Sequence, residues 1–184
     1  MGIYITIECQ NLRENNFKFK EQIIKILSRN INKLLFSKCD KVFKNILVVG
    51  LGNKNITPDA LGPKTISKIL VTRHIKNFVL DKKNQKDKLK NISSVSAISP
   101  GVLGVTGLET LEVIKGICNM TKPDLVFIID SLAARSSSRI NSTIQLSNTG
   151  ITPGAGMGNK QAKLDKEIAE AEEKEMKKHR RKMR

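Results

Sequence analysis

The chain has 184 residues, 39% of them hydrophobic and 27% charged, which suits one α/β unit with a buried core and a tail and excludes wholesale disorder. No run of about 18 apolar residues offers a membrane span, and the opening MGIYITIECQ lacks the basic and then apolar order of an export signal, so a soluble cytoplasmic protein is expected. A net charge of +16 favours acidic partners, but its basic residues are spread along the chain rather than set beside aromatics, which argues against specific nucleic-acid recognition.

Residues 3 to 8, IYITIE, are rich in β-branched types and predict a strand. Ile23, Leu27, Ile31, Leu34 and Leu35 then recur at spacings of three and four, the period of a helix with one buried face. The continuous apolar run ILVVGL, 46 to 51, predicts a parallel strand covered on both sides. A helix is expected from Thr65 to Val71, with Gly62 and Pro63 obscuring its start, and the charged stretch 81 to 91 reads as a solvated insertion. VSAIS, 95 to 99, predicts a short strand. The glycine-rich loop from residue 99 then feeds a helix from about Leu108 to Cys118, with Leu108, Leu111, Ile114 and Cys118 on its inner face. LVFIID, 125 to 130, predicts a second buried strand and STIQLS, 142 to 147, a half-exposed one. Strands alternating with helices imply an α/β fold, a mostly parallel sheet with flanking helices. Residues 1 to 160 form the expected core, and 161 to 184 a basic, charged tail, helical if ordered.

Two carboxylates stand at the ends of apolar strands, Asp59 a short loop beyond ILVVGL and Asp130 closing LVFIID. Ligands of open α/β sheets bind at that edge. Carboxylates brought together there share a proton, so that one serves as base and the other as acid in attack of water on an amide. The competing reading is a pair of helix starts: Thr57 as N-cap with Pro58 in first position and Asp59 favoured by the helix dipole, and Asp130 as a cap before SLAARS. Arg135 and Arg139 suit an acidic group of a substrate, or surface ion pairs. In GLGNKN the third glycine of a dinucleotide loop is replaced by Asn55, which weakens a nucleotide reading. Two histidines, His74 and His179, exclude a His-rich metal site; Cys9, Cys39 and Cys118 are spread widely and read as small buried hydrophobes, any one a nucleophile in principle.

Four stretches, ILVVGLGNKNITPDALGPKTISKILVTRH, VSAISPGVLGVTGLET, KPDLVFIIDSLAARS and STIQLSNTGITPGAGMGNK, together with GIYITIE, resemble the germination protease family in the family's own order, over about residues 2 to 160. The resemblance implies an atypical aspartic-type endopeptidase, needing no metal or organic cofactor, whose two aspartates lie in TPDALGP and IDSLAARS and are here Asp59 and Asp130. It also implies a fold similar to the hydrogenase maturation peptidases, tetrameric assembly and synthesis as a zymogen. The substrates would be small acid-soluble spore proteins, cut beside a glutamate in the spore core during germination. Family members carry a segment before GIYITIE and continue past the GNK motif, so the alternative expectation is a truncated, non-catalytic chain that binds spore proteins or full-length relatives.

Overall fold

A computed structural model describes residues 2–9, 16–36, 42–75, 92–134, 136 and 139–149. Its strands are β1 (Tyr4–Glu8), β2 (Asn45–Gly50), β3 (Ser94–Ile98), β4 (Leu125–Ile129) and β5 (Thr143–Ser147), and its helices α1 (Phe17–Phe36), α2 (Leu61–Ile66), α3 (Leu103–Thr106) and α4 (Thr110–Thr121). The fold is α/β. The strands do not join one sheet: β3, β2 and β4 form a parallel three-stranded sheet in that order, while β1 and β5 pair antiparallel in a second.

The parallel sheet is built around β2. Leu47, Val49 and Leu51 point to one face, where they bury Ile114 of α4 at 0% exposure with Leu111, Ile117 and Cys118 around it. Val48 and Gly50 point to the other face, toward α2. Only β2 is sealed on both faces as its unbroken apolar run requires; every residue of β3 and β4 is half-buried, so LVFIID is less enclosed than its composition predicts. Among the described residues both are edge strands, with no neighbour on one side.

The far end of this sheet is tied by polar groups. Asp124 accepts the backbone N–H groups of Lys44 and Asn45 at 2.9 and 3.0 Å, and the Asn45 amide donates to the carbonyls of Thr121 and Lys122 at 2.5 and 3.1 Å. Those carbonyls end α4 with no intrahelical donor, so one asparagine closes the helix and starts the strand. The chain then leaves α4 through Lys122 in the left-handed region, φ 45°.

The second sheet has its own core. Ile7, Cys9 and Ile23 are buried together, with Ile5, Phe19, Leu27, Ile144 and Leu146 packed against them, so the three-and-four periodicity of α1 identifies its inner face. Asn16 begins the helix by accepting the Phe19 N–H at 3.2 Å.

Two expectations shift and a third holds. The helix placed at residues 65 to 71 is α2, which begins four residues earlier and stops at Ile66, because Gly62 and Pro63 belong inside its first turn, where a missing N–H is harmless. Leu108 is 54% exposed and precedes α4; the inner face is Leu111, Ile114, Ile117 and Cys118. Cys9 and Cys118 lie in the two cores, as small hydrophobes do. Cys39, the insertion at 81 to 91 and the tail at 161 to 184 lie outside the described residues.

Ile114→Ala is expected to lower unfolding stability by about 2–5 kcal/mol, since it empties the centre of the larger core. Urea unfolding monitored by circular dichroism measures it; a loss below about 1 kcal/mol would mean that Ile114 is not the keystone of that core.

Candidate functional site

The loop that follows β2 is held against the strand it leaves. A Cβ on Gly62 would lie 2.6 Å from the Leu51 nitrogen and 2.7 Å from the Gly50 carbonyl carbon, and one on Gly50 would lie 2.5 Å from Ile66 Cγ1. Helix α2 and the end of β2 therefore meet backbone to backbone, a separation that only paired glycines permit. Between them the chain turns at Gly52, with φ 110°, where any Cβ would collide with the Asp59 carbonyl and stand 2.8 Å from its Oδ1.

Asp59 closes a 3-10 turn, Thr57–Asp59, and its half-buried carboxylate turns back across the loop to accept the Asn53 N–H at 2.7 Å. The turn has Ile56 in the cap position and no side-chain cap bond, so Thr57 is not a helix cap. Pro58 fits an early helical position as expected, while the Asp59 side chain serves the loop instead of the following helix.

Asp130 follows directly on β4. Because Gly50 is in register with Ile129, and the Leu51 N–H donates to the Ile129 carbonyl at 2.8 Å, the chain leaves both strands at the same level. Asp130 Oδ1 accepts the Ser131 N–H at 2.8 Å, and residues 131 to 134 are not helical, so it too caps no helix. Although Asp130 keeps solvent contact as a residue, protein atoms crowd its carboxyl. That burial raises its pKa above the ordinary 3.8, the Ser131 N–H lowers it, and the charge of Asp59 raises it again. The two aspartates, 71 positions apart in sequence, thus reach one sheet edge, where the charge of Asp59 bears on Asp130.

Such a pair can divide labour in proton transfer, one carboxyl holding a proton that the other lacks. Among the described residues no contact joins the remaining sequence candidates to this pair. Arg139 reaches Glu8 beside β1, 3.5 Å away with both side chains exposed, and Arg135 is outside the described residues. His74 is exposed, and no group of three His, Cys, Asp or Glu side chains able to hold a metal occurs among the described residues. Nor, among them, is any helix long and apolar enough to cross a membrane. Sequence reasoning missed Asn53, Gly52 and Gly62, which position Asp59; the available signal was a glycine just past a buried strand, read there as a weak nucleotide loop.

Residues 1–171 match the family described as germination protease. The chain is 48% identical over 166 residues to the germination protease of a Geobacillus species, covering 90% of this chain and 43% of that protein. It is 49% identical over 165 residues to that of Clostridium tetani, covering 90% and 49%, and 44% identical over 166 residues to that of Bacillus subtilis, covering 90% and 44%. The chain spans less than half the length of these curated relatives.

The upward shift at Asp130 means that the folded chain binds this proton more tightly than the unfolded chain. The associated stability is whole below the unfolded value and is lost as pH rises through the higher folded value. Asp130→Asn cannot ionise yet still offers an oxygen to the Ser131 N–H. It is expected to melt at a higher temperature than the parent near neutral pH, with the gap closing below pH 3.8. A variant that melts at or below the parent's temperature near neutral pH would refute this.

Proposed function

The chain belongs to the germination protease family, and from that premise we propose that it is an aspartic-type endopeptidase whose acid and base are Asp130 and Asp59. Its substrates in this reading are small acid-soluble spore proteins, degraded in the spore core during germination. The observation that supports this assignment is that both aspartates follow the carboxyl ends of neighbouring parallel strands, with the charge of Asp59 bearing on Asp130.

Roles follow from the surroundings. Asp59, steadied by the Asn53 N–H, takes a proton from water as its oxygen attacks the scissile carbonyl; Asp130, which holds a proton more readily, delivers it to the departing nitrogen. The proton collected by Asp59 resets the pair through solvent. No metal or organic cofactor enters this scheme.

Arg135 and Arg139 are proposed to meet the acidic residue beside the cut. The Arg139 pair with Glu8 is exposed, and such pairs are worth about 0–1 kcal/mol, so exchanging Glu8 for a substrate carboxylate costs little. The proposal further includes a fold related to the hydrogenase maturation peptidases, a core of residues 1 to 160 with a basic tail, zymogen control and assembly as tetramers. Phe17, Leu70 and Met120, each at least 79% exposed, supply apolar surface for such assembly.

The test is cleavage of a purified small acid-soluble spore protein by this chain. Asp59→Asn and Asp130→Asn are each expected to lower kcat by about 10²–10⁴-fold with the circular dichroism spectrum unchanged. A folded parent that cuts nothing overturns the peptidase reading; cleavage undiminished in either variant overturns the role of that aspartate.

A further inference from the structure

We infer that the open edge of β3 is a docking site for an extended acidic peptide, added to the sheet as a further strand beside Ala97 and held by Arg73 and His74. This rests on the proposed peptidase function and supplies the subsite that would lead substrate to the carboxylates.

Four observations converge there. First, among the described residues β3 is the outer strand of its sheet. The N–H and carbonyl of Ser94 side with β2, as its 2.7 Å bond to the Lys44 carbonyl shows, whereas those of Val95 face outward and are taken by Thr72, at 2.8 Å to its Oγ1 and 3.0 Å from its N–H. Alternation along a strand then turns the N–H and carbonyl of Ala97 outward as well, and among the described residues nothing takes them. Thr72 thus occupies the first rung of the edge and leaves the next one free.

Second, a shallow, open depression of about 350 Å³ lies at this rung, lined by Val71, Arg73, His74, Val95, Ser96 and Ala97. Third, the Ser96 hydroxyl is buried without a hydrogen-bond partner, a state that folded proteins seldom leave unused. Fourth, Arg73 and His74 stand at the depression with no ion-pair partner among the described residues. A main-chain donor and acceptor left open among the described residues, a side-chain groove, a guanidinium and an imidazole able to donate a hydrogen bond are the components of strand-addition binding to an acidic segment. The net charge of +16 favours the same partner over a basic or neutral one.

The position also fits the site. Ala97 is level with Val48 and Phe127, three residues before Asp130 and two strands away from it. A strand laid beside β3 would run roughly 17 Å from Asp130, a gap that about five extended residues span. The bond to be cut would therefore lie about five residues along the chain from the docked segment.

The experiment uses a fluorescein-labelled, glutamate-rich decapeptide and the full chain carrying Asp130→Asn, so that binding is read without turnover. Backbone N-methylation of the peptide at one set of alternate positions is expected to weaken binding by ten-fold or more, and at the other set by less than about two-fold, because only every second N–H faces the edge. Arg73→Gln is expected to weaken binding about ten-fold and to flatten its salt dependence. Equal effects of the two methylation patterns, or unchanged affinity in Arg73→Gln, would overturn the proposal. So would a dimer in sedimentation that dissolves in Ala97→Pro, since a second copy would then own the edge. Alternating binding with no cleavage by the parent would leave the edge site standing and remove the peptidase. Cleavage without alternation would do the reverse.

Discussion

The geometry of the site depends on one contact that has no side chains in it, the approach of Gly62 to the backbone of Gly50 and Leu51. A methyl group on either glycine would collide with main chain or with Ile66, and main chain has nowhere to go at the end of a sealed strand. The contact buries little apolar area and yields little hydrophobic energy. Its effect is positional: it draws the start of α2 over the carboxyl end of β2 and folds residues 52 to 59 into a tight loop whose own carboxylate reaches back to Asn53. Asp130 needs no such device, because the register of β4 with β2 already delivers it to the same level.

The sheet is unevenly covered, and this sets its chemistry. Around β2 the interior is dry, with Val49 at 0% and Leu47 at 1% exposure. Its neighbours are half open to water along their whole length. The carboxylates sit where these regimes meet, so partial burial raises the proton affinity of Asp130 while the residue stays open enough for a macromolecule to reach it. A deep pocket would suit a small ligand; a shallow edge beside an unfilled strand position suits a polypeptide.

Much of this was legible in the residues. The unbroken apolar run of β2, the three-and-four spacing in α1 and the placement of two aspartates at strand ends carry local physics that a sequence displays. What was hidden is long-range. β5 alternates as a half-exposed strand should, but nothing in STIQLS says that its partner is IYITIE rather than the parallel strands. Gly62 and Pro63 read as a broken helix start because a sequence cannot show the strand that requires the glycine. The helix-cap reading of Thr57 and Asp59 failed for a related reason: the Asn53 N–H, six residues earlier, outcompetes the helix for the same carboxylate.

The strand pairs have a further consequence, for the order of events as the chain emerges from the ribosome. Asn45 pairs with Ser94, Ile46 with Leu125 and Tyr4 with Ser147, and no pair among the described residues is a hairpin. Non-local pairing of this kind folds slowly, since each closure costs loop entropy before any contact repays it. Strand β1 must wait for β5 before it has its partner, and meanwhile Ile5, Ile7 and the inner face of α1 lack the cover that Ile144 and Leu146 give them. During synthesis the vulnerable part of the described fold is therefore the β1–α1 segment.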